Sequence, residues 1–251
     1  MKKIIKTISV LLILMLTVAV FAACNNKPAE TTADTAEDIT DDTAELTGEV
    51  MGGGWEVSEK AVDGVSAEEK AVFEKALSGE GIGVGVDYTA VDVLAKQSVA
   101  GWKYAFLCVK KAVTPEAVPA WCVLTVYEGL DGSASVNGII DIDVANVRTK
   151  ANSTAGDNTS GGWEADVNEA KLSVSERVDG ALGSYEGMKF TPIAVLGTQV
   201  VAGTNYRVLA YGAPVVPDAV YDLYVVDVFD AIGGEAEISS VKVFDLHSYV
   251  S

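Results

Sequence analysis

The chain has 251 residues, with 36 acidic side chains against 18 basic ones and a formal net charge of −18. Because contact with phosphates requires a basic surface, this charge argues against nucleic acid as a partner. The single histidine, His247, and the three cysteines are spaced neither as metal ligands nor as a nucleophile with its base. The composition therefore predicts a protein that is not an enzyme and holds neither a metal nor a cofactor.

A targeting segment is predicted at the N-terminus. A lysine-containing start precedes an apolar stretch at 8–20, which is too short for a stable membrane span. Residues 21–24, with the sequence FAAC, resemble the lipobox of bacterial lipoproteins, whose cysteine receives a lipid. This predicts a signal peptide at 1–23 and attachment to the extracytoplasmic face of a bacterial cell membrane through a lipid on Cys24 alone. The alternative is an ordinary secretory signal that happens to end near a cysteine.

An acidic segment follows the signal peptide. Residues 24–52 are dominated by threonine, alanine and carboxylates, with eight acidic side chains and a single lysine. So few large apolar side chains cannot form a core. We therefore predict a disordered tether that holds the first folded domain away from the membrane surface.

One helix and four strands are predicted after the tether. Ser66 and Glu69 form a capping-box pattern, apolar residues follow on one side of the helix, and Gly79 suits its C-terminal end. Apolar and alternating runs separated by turn residues then predict antiparallel strands. The strands are predicted at 86–98, 101–110, 121–128 and 134–144.

The second half of the chain repeats this arrangement. From Gly85 to Asp143 the sequence aligns without gaps with the residues 102 positions later. A helix is predicted from the pattern of Ser173 and Glu176, ending at Gly183. The corresponding strands are predicted at 188–200, 203–212, 220–230 and 236–246.

The duplication predicts two domains, at 53–144 and 161–251, joined by a linker at 145–160. Each would place one helix on a four-stranded antiparallel sheet, which is an α+β arrangement. Each is also large enough for its own core, so either half is expected to unfold cooperatively when expressed alone. The linker is compatible both with two freely swivelling domains and with two domains packed together.

The strand pattern also predicts which side chains face the helix. Arg207 and Asp227 are expected to point to water, which places the alternate residues inward. Cys108 and Cys122 then share the inward face of neighbouring strands, where they could form a disulfide or remain two small buried side chains. The inward set is Tyr104, Phe106, Cys108, Cys122, Leu124 and Val126, with Tyr206, Val208, Ala210, Tyr224, Val226 and Val228 in the second half.

One pentapeptide pattern occurs at the same place in both halves. Gln97-Ser98-Val99-Ala100-Gly101 and Gln199-Val200-Val201-Ala202-Gly203 both read QxVxG, and both lie between predicted strands. The pattern resembles the first inhibitory hairpin of the cystatins, and the order of Gly-Gly pair, helix, long strand and hairpin is similar along nearly the whole repeat. The resemblance implies two tandem cystatin-like domains.

The resemblance also implies a function. Cystatins inhibit papain-like cysteine proteases by placing three segments in the active-site cleft: an N-terminal strand with a glycine, the QxVxG hairpin and a second hairpin. Val99 and Val201 are then expected at the tips of the two QxVxG hairpins. The implied protease-binding residues are Gly53, Gly54, Gln97, Ser98, Val99, Ala100, Gly101 and Leu130 in the first half, and Gly161, Gly162, Gln199, Val200, Val201, Ala202, Gly203 and Ile232 in the second.

The third segment departs from the cystatin pattern. Cystatins carry Pro-Trp in the second hairpin, whereas this chain has the sequences GLDG at 129–132 and AIGG at 231–234. Two functions are therefore weighed. One is a surface-anchored tandem inhibitor of papain-like cysteine proteases, and the other is a non-inhibitory binding module for another protein, peptide or solute.

Overall fold

The computed structural model describes residues 53–57, 64–79, 82, 84–150, 162–167 and 175–250. The predicted signal peptide, Cys24 and the acidic tether lie outside these residues, as do Gly161 and Ser173. No helix among the described residues is long and apolar enough to cross a membrane.

Each half of the chain forms a five-stranded antiparallel sheet with one helix. In both sheets, strands that follow one another in the chain are neighbours in space. A short 3₁₀ helix, Leu246–Ser248, follows the last strand. The elements of the first half are β1 (Trp55–Glu56), α1 (Ala67–Leu77), β2 (Val86–Val99), β3 (Gly101–Ala112), β4 (Ala120–Gly129) and β5 (Ala134–Asp141). Those of the second half are β6 (Glu164–Ala165), α2 (Glu176–Gly183), β7 (Met188–Val201), β8 (Gly203–Pro214), β9 (Asp222–Ala231) and β10 (Ala236–Val243).

The predicted fold class, two tandem cystatin-like α+β domains with four-stranded sheets, is wrong. The protein is mostly β, and a two-residue strand adds a fifth member to each sheet: Trp55 pairs with Gln97, and Glu164 pairs with Thr198. No sequence pattern marks these strands, because two residues are too few to show an alternation. The predicted fold also left one face of each sheet open to water, and neither sheet is arranged in that way.

The helix start is as predicted in the first half and is shifted in the second. Ser66 Oγ accepts from the Glu69 amide at 3.3 Å, and Glu69 Oε2 accepts from the Ser66 amide at 2.9 Å, so the capping box is confirmed. In α2 the N-cap is Ser175, whose hydroxyl accepts from the Val178 amide at 3.3 Å. The prediction from Ser173 was therefore wrong, because a second serine two residues later offers the same cap.

The helix-facing cores follow the predicted alternation. In the first half Phe73 and Ala76 of α1 pack against the sheet, and the aromatic rings of Phe73 and Phe106 lie 5.0 Å apart. The six inward residues predicted for that half all belong to this cluster. Val178, Ala181 and Leu182 of α2 form the matching cluster with the second sheet. One face of each sheet is therefore covered by its own helix.

The other faces of the two sheets share a single core. Leu94, Leu107 and Val123 from the first sheet belong to one fully buried cluster with Leu196, Leu209 and Leu223 from the second. Tyr211 Oη on β8 donates to the Val93 carbonyl on β2 at 2.8 Å, which joins the two sheets directly. The layers are therefore helix, sheet, sheet and helix. Of the two arrangements that the linker allows, freely swivelling domains or packed domains, the protein adopts the packed one.

Arg207 and Asp227 lie at the edge of this shared core, so the prediction that they point to water was wrong. Their side chains are 13% and 14% exposed, and the guanidinium binds the carboxylate through two nitrogens, with Arg207 Nε 2.8 Å from Asp227 Oδ1. Arg207 also donates to the Val144 carbonyl at 2.7 Å and lies over the Trp163 ring. Because another layer covers this face, the arginine is held by partners instead of solvent.

Candidate binding site at the hairpin ends

Strand register brings the predicted binding segments of the first half to one end of the first sheet. Trp55 pairs with Gln97, Val99 pairs with Gly101 across the β2–β3 hairpin, and Gly101 pairs with Gly129. The glycines preceding β1, the hairpin tip and the β4–β5 turn with Leu130 therefore lie side by side. We call Gly53, Gly54, residues 98–102 and Leu130 the first hairpin end.

The second half forms an equivalent end. Glu164 pairs with Thr198, and Gly203 pairs with both Val201 and Ala231. We call Gly162, residues 200–204 and Ile232 the second hairpin end, while Gly161 lies outside the described residues. Both predicted sets of segments are thus brought together, apart from that glycine.

The two hairpin ends do not lie next to each other. Strand β5 starts beside the first hairpin end and runs away from it, and Val144 follows the far end of that strand. The Val144 carbonyl accepts from Arg207, which is only four residues from Gly203 at the second hairpin tip. The second hairpin end therefore lies toward the opposite end of the first sheet, so one small cleft could not take both.

The glutamines of the two signatures hold the hairpins in place. Gln97 Nε2 donates to the Gly53 carbonyl, which ties the segment before β1 to the hairpin strand. Gln199 is 2% exposed, and its side-chain oxygen accepts from Asn205 Nδ2 at 2.7 Å. Their bonds are internal, so both side chains support the shape of the hairpins.

The signature glycines are required by the sheets themselves. Gly101 has φ +121°, and a Cβ there would lie 2.1 Å from the Glu128 carbonyl oxygen of the next strand. Gly203 has φ +148°, and a Cβ there would lie 2.5 Å from the Asp230 carbonyl oxygen. Neither strand could approach its neighbour this closely with a side chain present. Both glycines are explained without any partner.

Both hairpin ends expose large apolar side chains. At the first hairpin end Val99 is 40% exposed, Trp102 45% and Leu130 87%. At the second, Val200 is 79% exposed and Ile232 85%, whereas Val201 is half-buried. The expectation for Val99 is therefore confirmed, but Val200 replaces Val201 as the exposed valine of the second hairpin. Side chains of this size in water offer surface for a partner.

The turns that carry Leu130, between β4 and β5, and Ile232, between β9 and β10, are anchored from the helices. Lys75 Nζ of α1 donates to the Gly132 carbonyl at 2.5 Å, and Asp131 Oδ1 accepts from the Ser133 hydroxyl at 2.7 Å. That hydroxyl lowers the pKa of Asp131 below its ordinary value. In the second turn Arg177 of α2 binds Asp230 Oδ1 at 2.7 Å and the Gly234 carbonyl. No local sequence pattern marks these helix residues as turn anchors, because their partners are more than 50 residues away.

Neither hairpin end contains a cysteine or a histidine. Cys108 and Cys122 face each other on β3 and β4 as free, fully buried thiols, and burial raises the pKa of Cys108 well above its usual value. His247 is exposed on the 3₁₀ helix. Among the described residues no group of three or more histidine, cysteine or acidic side chains could hold a metal ion.

Comparison with known proteins adds no family to this geometry. No protein-family model matches the sequence, and no curated protein matches it either. The function must therefore be inferred from the two hairpin ends.

Proposed function

We propose that the protein binds other proteins by inserting its hairpin ends into their clefts, and that its targets are papain-like cysteine proteases. One observation carries this proposal: three chain segments converge at each end, and two of them expose apolar side chains on an internally bonded framework. Such an end is shaped to enter a slot instead of covering a flat surface.

Inhibition by such an end needs no reactive group. A fully buried valine contributes about 1.5 to 3 kcal/mol, and a framework that is already ordered loses little conformational freedom on binding. The tip residues Val99 and Ala100 are small enough to come close to a catalytic cysteine. Because Gly101 is held by its pairing with Gly129, the tip resists the extended shape that a protease substrate adopts.

A second candidate is a non-inhibitory binding module that uses the same ends. Leu130 and Ile232 occupy the turns that correspond to the second hairpin of the cystatins, where those inhibitors carry tryptophan. Either side chain buries less area than an indole ring. The signature glycines are moreover required by the sheets, so their presence does not report a protease target. These observations favour a partner with a shallower cleft.

Charged substitutions at the exposed valines should abolish binding at the corresponding end. In Val99→Asp or Val200→Asp a carboxylate would be buried without a partner in the cleft, and we expect binding to weaken at least about a hundredfold. Titration of papain with the mature chain, residues 24–251 prepared without lipid, should show half the stoichiometry for each single variant. The double variant should not bind.

The matched control is Val118→Asp, at a position 82% exposed in the β3–β4 loop, at the other end of the first sheet. This variant should inhibit like the wild type. Val118→Asp and Val200→Asp should keep the wild-type unfolding temperature because these side chains are exposed, whereas Val99→Asp should lower it slightly because more than half of the Val99 side chain is buried. If the wild type at micromolar concentration leaves papain and related proteases fully active, the second candidate takes precedence.

We also propose that the chain is held at the outer face of a bacterial membrane by a lipid on Cys24, on the basis of the lipobox alone. Cys24→Ser should remain at precursor size and should take up no fatty-acid label, because the serine hydroxyl does not replace the thiol that accepts the lipid. Labelling of cells with a fatty-acid probe and gel analysis would measure both effects. Equal labelling of variant and wild type would place the lipid elsewhere.

A further inference from the structure

The first hairpin tip is fastened by a side chain from a third strand. Tyr127 lies on β4 opposite Lys103, and its hydroxyl donates to the Ala100 carbonyl at 2.5 Å. This bond reaches across β3 to the single residue between β2 and β3. A tip carbonyl that is held in this way has less freedom to lose when a partner binds.

The second hairpin tip lacks this bond because its sequence lacks the hydroxyl. Phe229 pairs with Asn205 on β8, as Tyr127 pairs with Lys103 on β3, so the two aromatic residues are equivalent. The Phe229 ring lies against the hairpin glycine, since a Cβ on Gly203 would be 2.8 Å from the ring. The second tip thus has an apolar contact where the first has a directional hydrogen bond.

The two ends also differ in the apolar group beside the tip. Ser98 pairs with Trp102 across the first hairpin, while Val200 pairs with Thr204 across the second. By strand alternation each pair lies on the helix-facing side of its sheet, the side on which Tyr104 lies. The first end therefore offers an indole from β3, and the second end offers the smaller valine from β7.

We infer that the two hairpin ends are unequal and that the first is the tighter binding site, with Tyr127 as its positioning residue and Trp102 as its main anchor. The inference rests on the proposed function, because it concerns affinity for the same class of partner. Ordering of the tip before binding and a half-exposed tryptophan both favour affinity at the first end. The second end, with Phe229 and Thr204 in these places, binds the same target more weakly.

The experiment exchanges the differing residues and measures each end separately. With Val200→Asp disabling the second end, the chain should bind papain at least about tenfold more tightly than with Val99→Asp disabling the first. Adding Tyr127→Phe to the chain with only the first end active should weaken binding about three- to tenfold, and adding Trp102→Thr about tenfold or more. Equal affinity of the two ends would overturn the inference.

A second measurement needs no partner. Tyr127→Phe should speed amide hydrogen exchange at the β2–β3 hairpin while leaving the β7–β8 hairpin and the unfolding temperature unchanged. The reverse substitution, Phe229→Tyr, should slow exchange at the β7–β8 hairpin. Unchanged exchange in Tyr127→Phe would refute the positioning role while the proposed function stands. Failure of the wild type to bind papain would instead defeat the proposed function, and with it the ranking of the two ends for that target.

Discussion

Neither half of the chain should fold alone. A fragment of residues 53–150 or of residues 162–250 would expose the sheet face that its partner covers, including Leu107 and Val123 or Leu209 and Leu223, all fully buried in the protein. Each of these side chains contributes about 1.5 to 3 kcal/mol when buried, and a whole domain is stable by only about 5 to 15 kcal/mol. We therefore expect the separate halves to show no cooperative unfolding transition.

Denaturant titration followed by circular dichroism and size-exclusion chromatography would measure this effect. The matched control is the mixture of both fragments, cut between 150 and 162, which should recover a compact complex and a single transition. A fragment that unfolds cooperatively as a monomer would show that the shared core is dispensable. This expectation reverses the one drawn from the duplication, which treated each repeat as self-sufficient.

Gly101→Ala should destabilise the protein by more than about 3 kcal/mol. The new Cβ would lie 2.1 Å from the Glu128 carbonyl oxygen, and φ +121° is a conformation that alanine rarely adopts. Relief of this contact requires the pairing of Gly101 with Gly129 to open at the base of the first hairpin end. The loss would be read as a lower denaturant midpoint at an unchanged slope.

Gly132→Ala is the control for this prediction. Gly132 has φ +75°, and a Cβ there would meet no atom within 4 Å, so only the cost of the left-handed backbone applies, about 1 kcal/mol. Similar midpoints for the two variants would show that the hairpin adjusts easily to a side chain. A large difference would show that the packing of the sheet is by itself sufficient to require the signature glycine.

Local patterns were sufficient to predict the two helices, the eight longer strands and the helix-facing core, but not the two-residue strands β1 and β6. The capping box of Ser66 and Glu69, and the alternation through Tyr104, Phe106 and Cys108, depend on residues close together in the chain. The convergence at the first hairpin end also follows from sequence, because consecutive antiparallel strands place every second turn at the same end of a sheet. Val99 and Leu130 themselves were predicted from the resemblance to the cystatin hairpins.

The sequence contains a signal for the buried second face of each sheet, although the predicted fold left that face open to water. The runs YAFLCV at 104–109 and WCVLTV at 121–126 are apolar at nearly every position, which is typical of strands covered on both sides. Reading only alternate residues as buried led to the wrong fold class and to a solvent-facing Arg207. The charges of Arg207 and Asp227 suggested that both side chains point to water, but a bidentate ion pair can lie at the edge of a core.

The sequence by itself determined the two helices, the eight longer strands, the positions of the hairpins and the residues that each helix covers, because these depend on neighbours within a few positions. Only the tertiary structure decided that the two sheets share one core, that Val200 is more exposed than Val201, and that Tyr127 fastens the tip at Ala100. These features join residues that are distant in the chain. Their free energy comes from surfaces that exist only after the sheets have formed, so no local pattern encodes them.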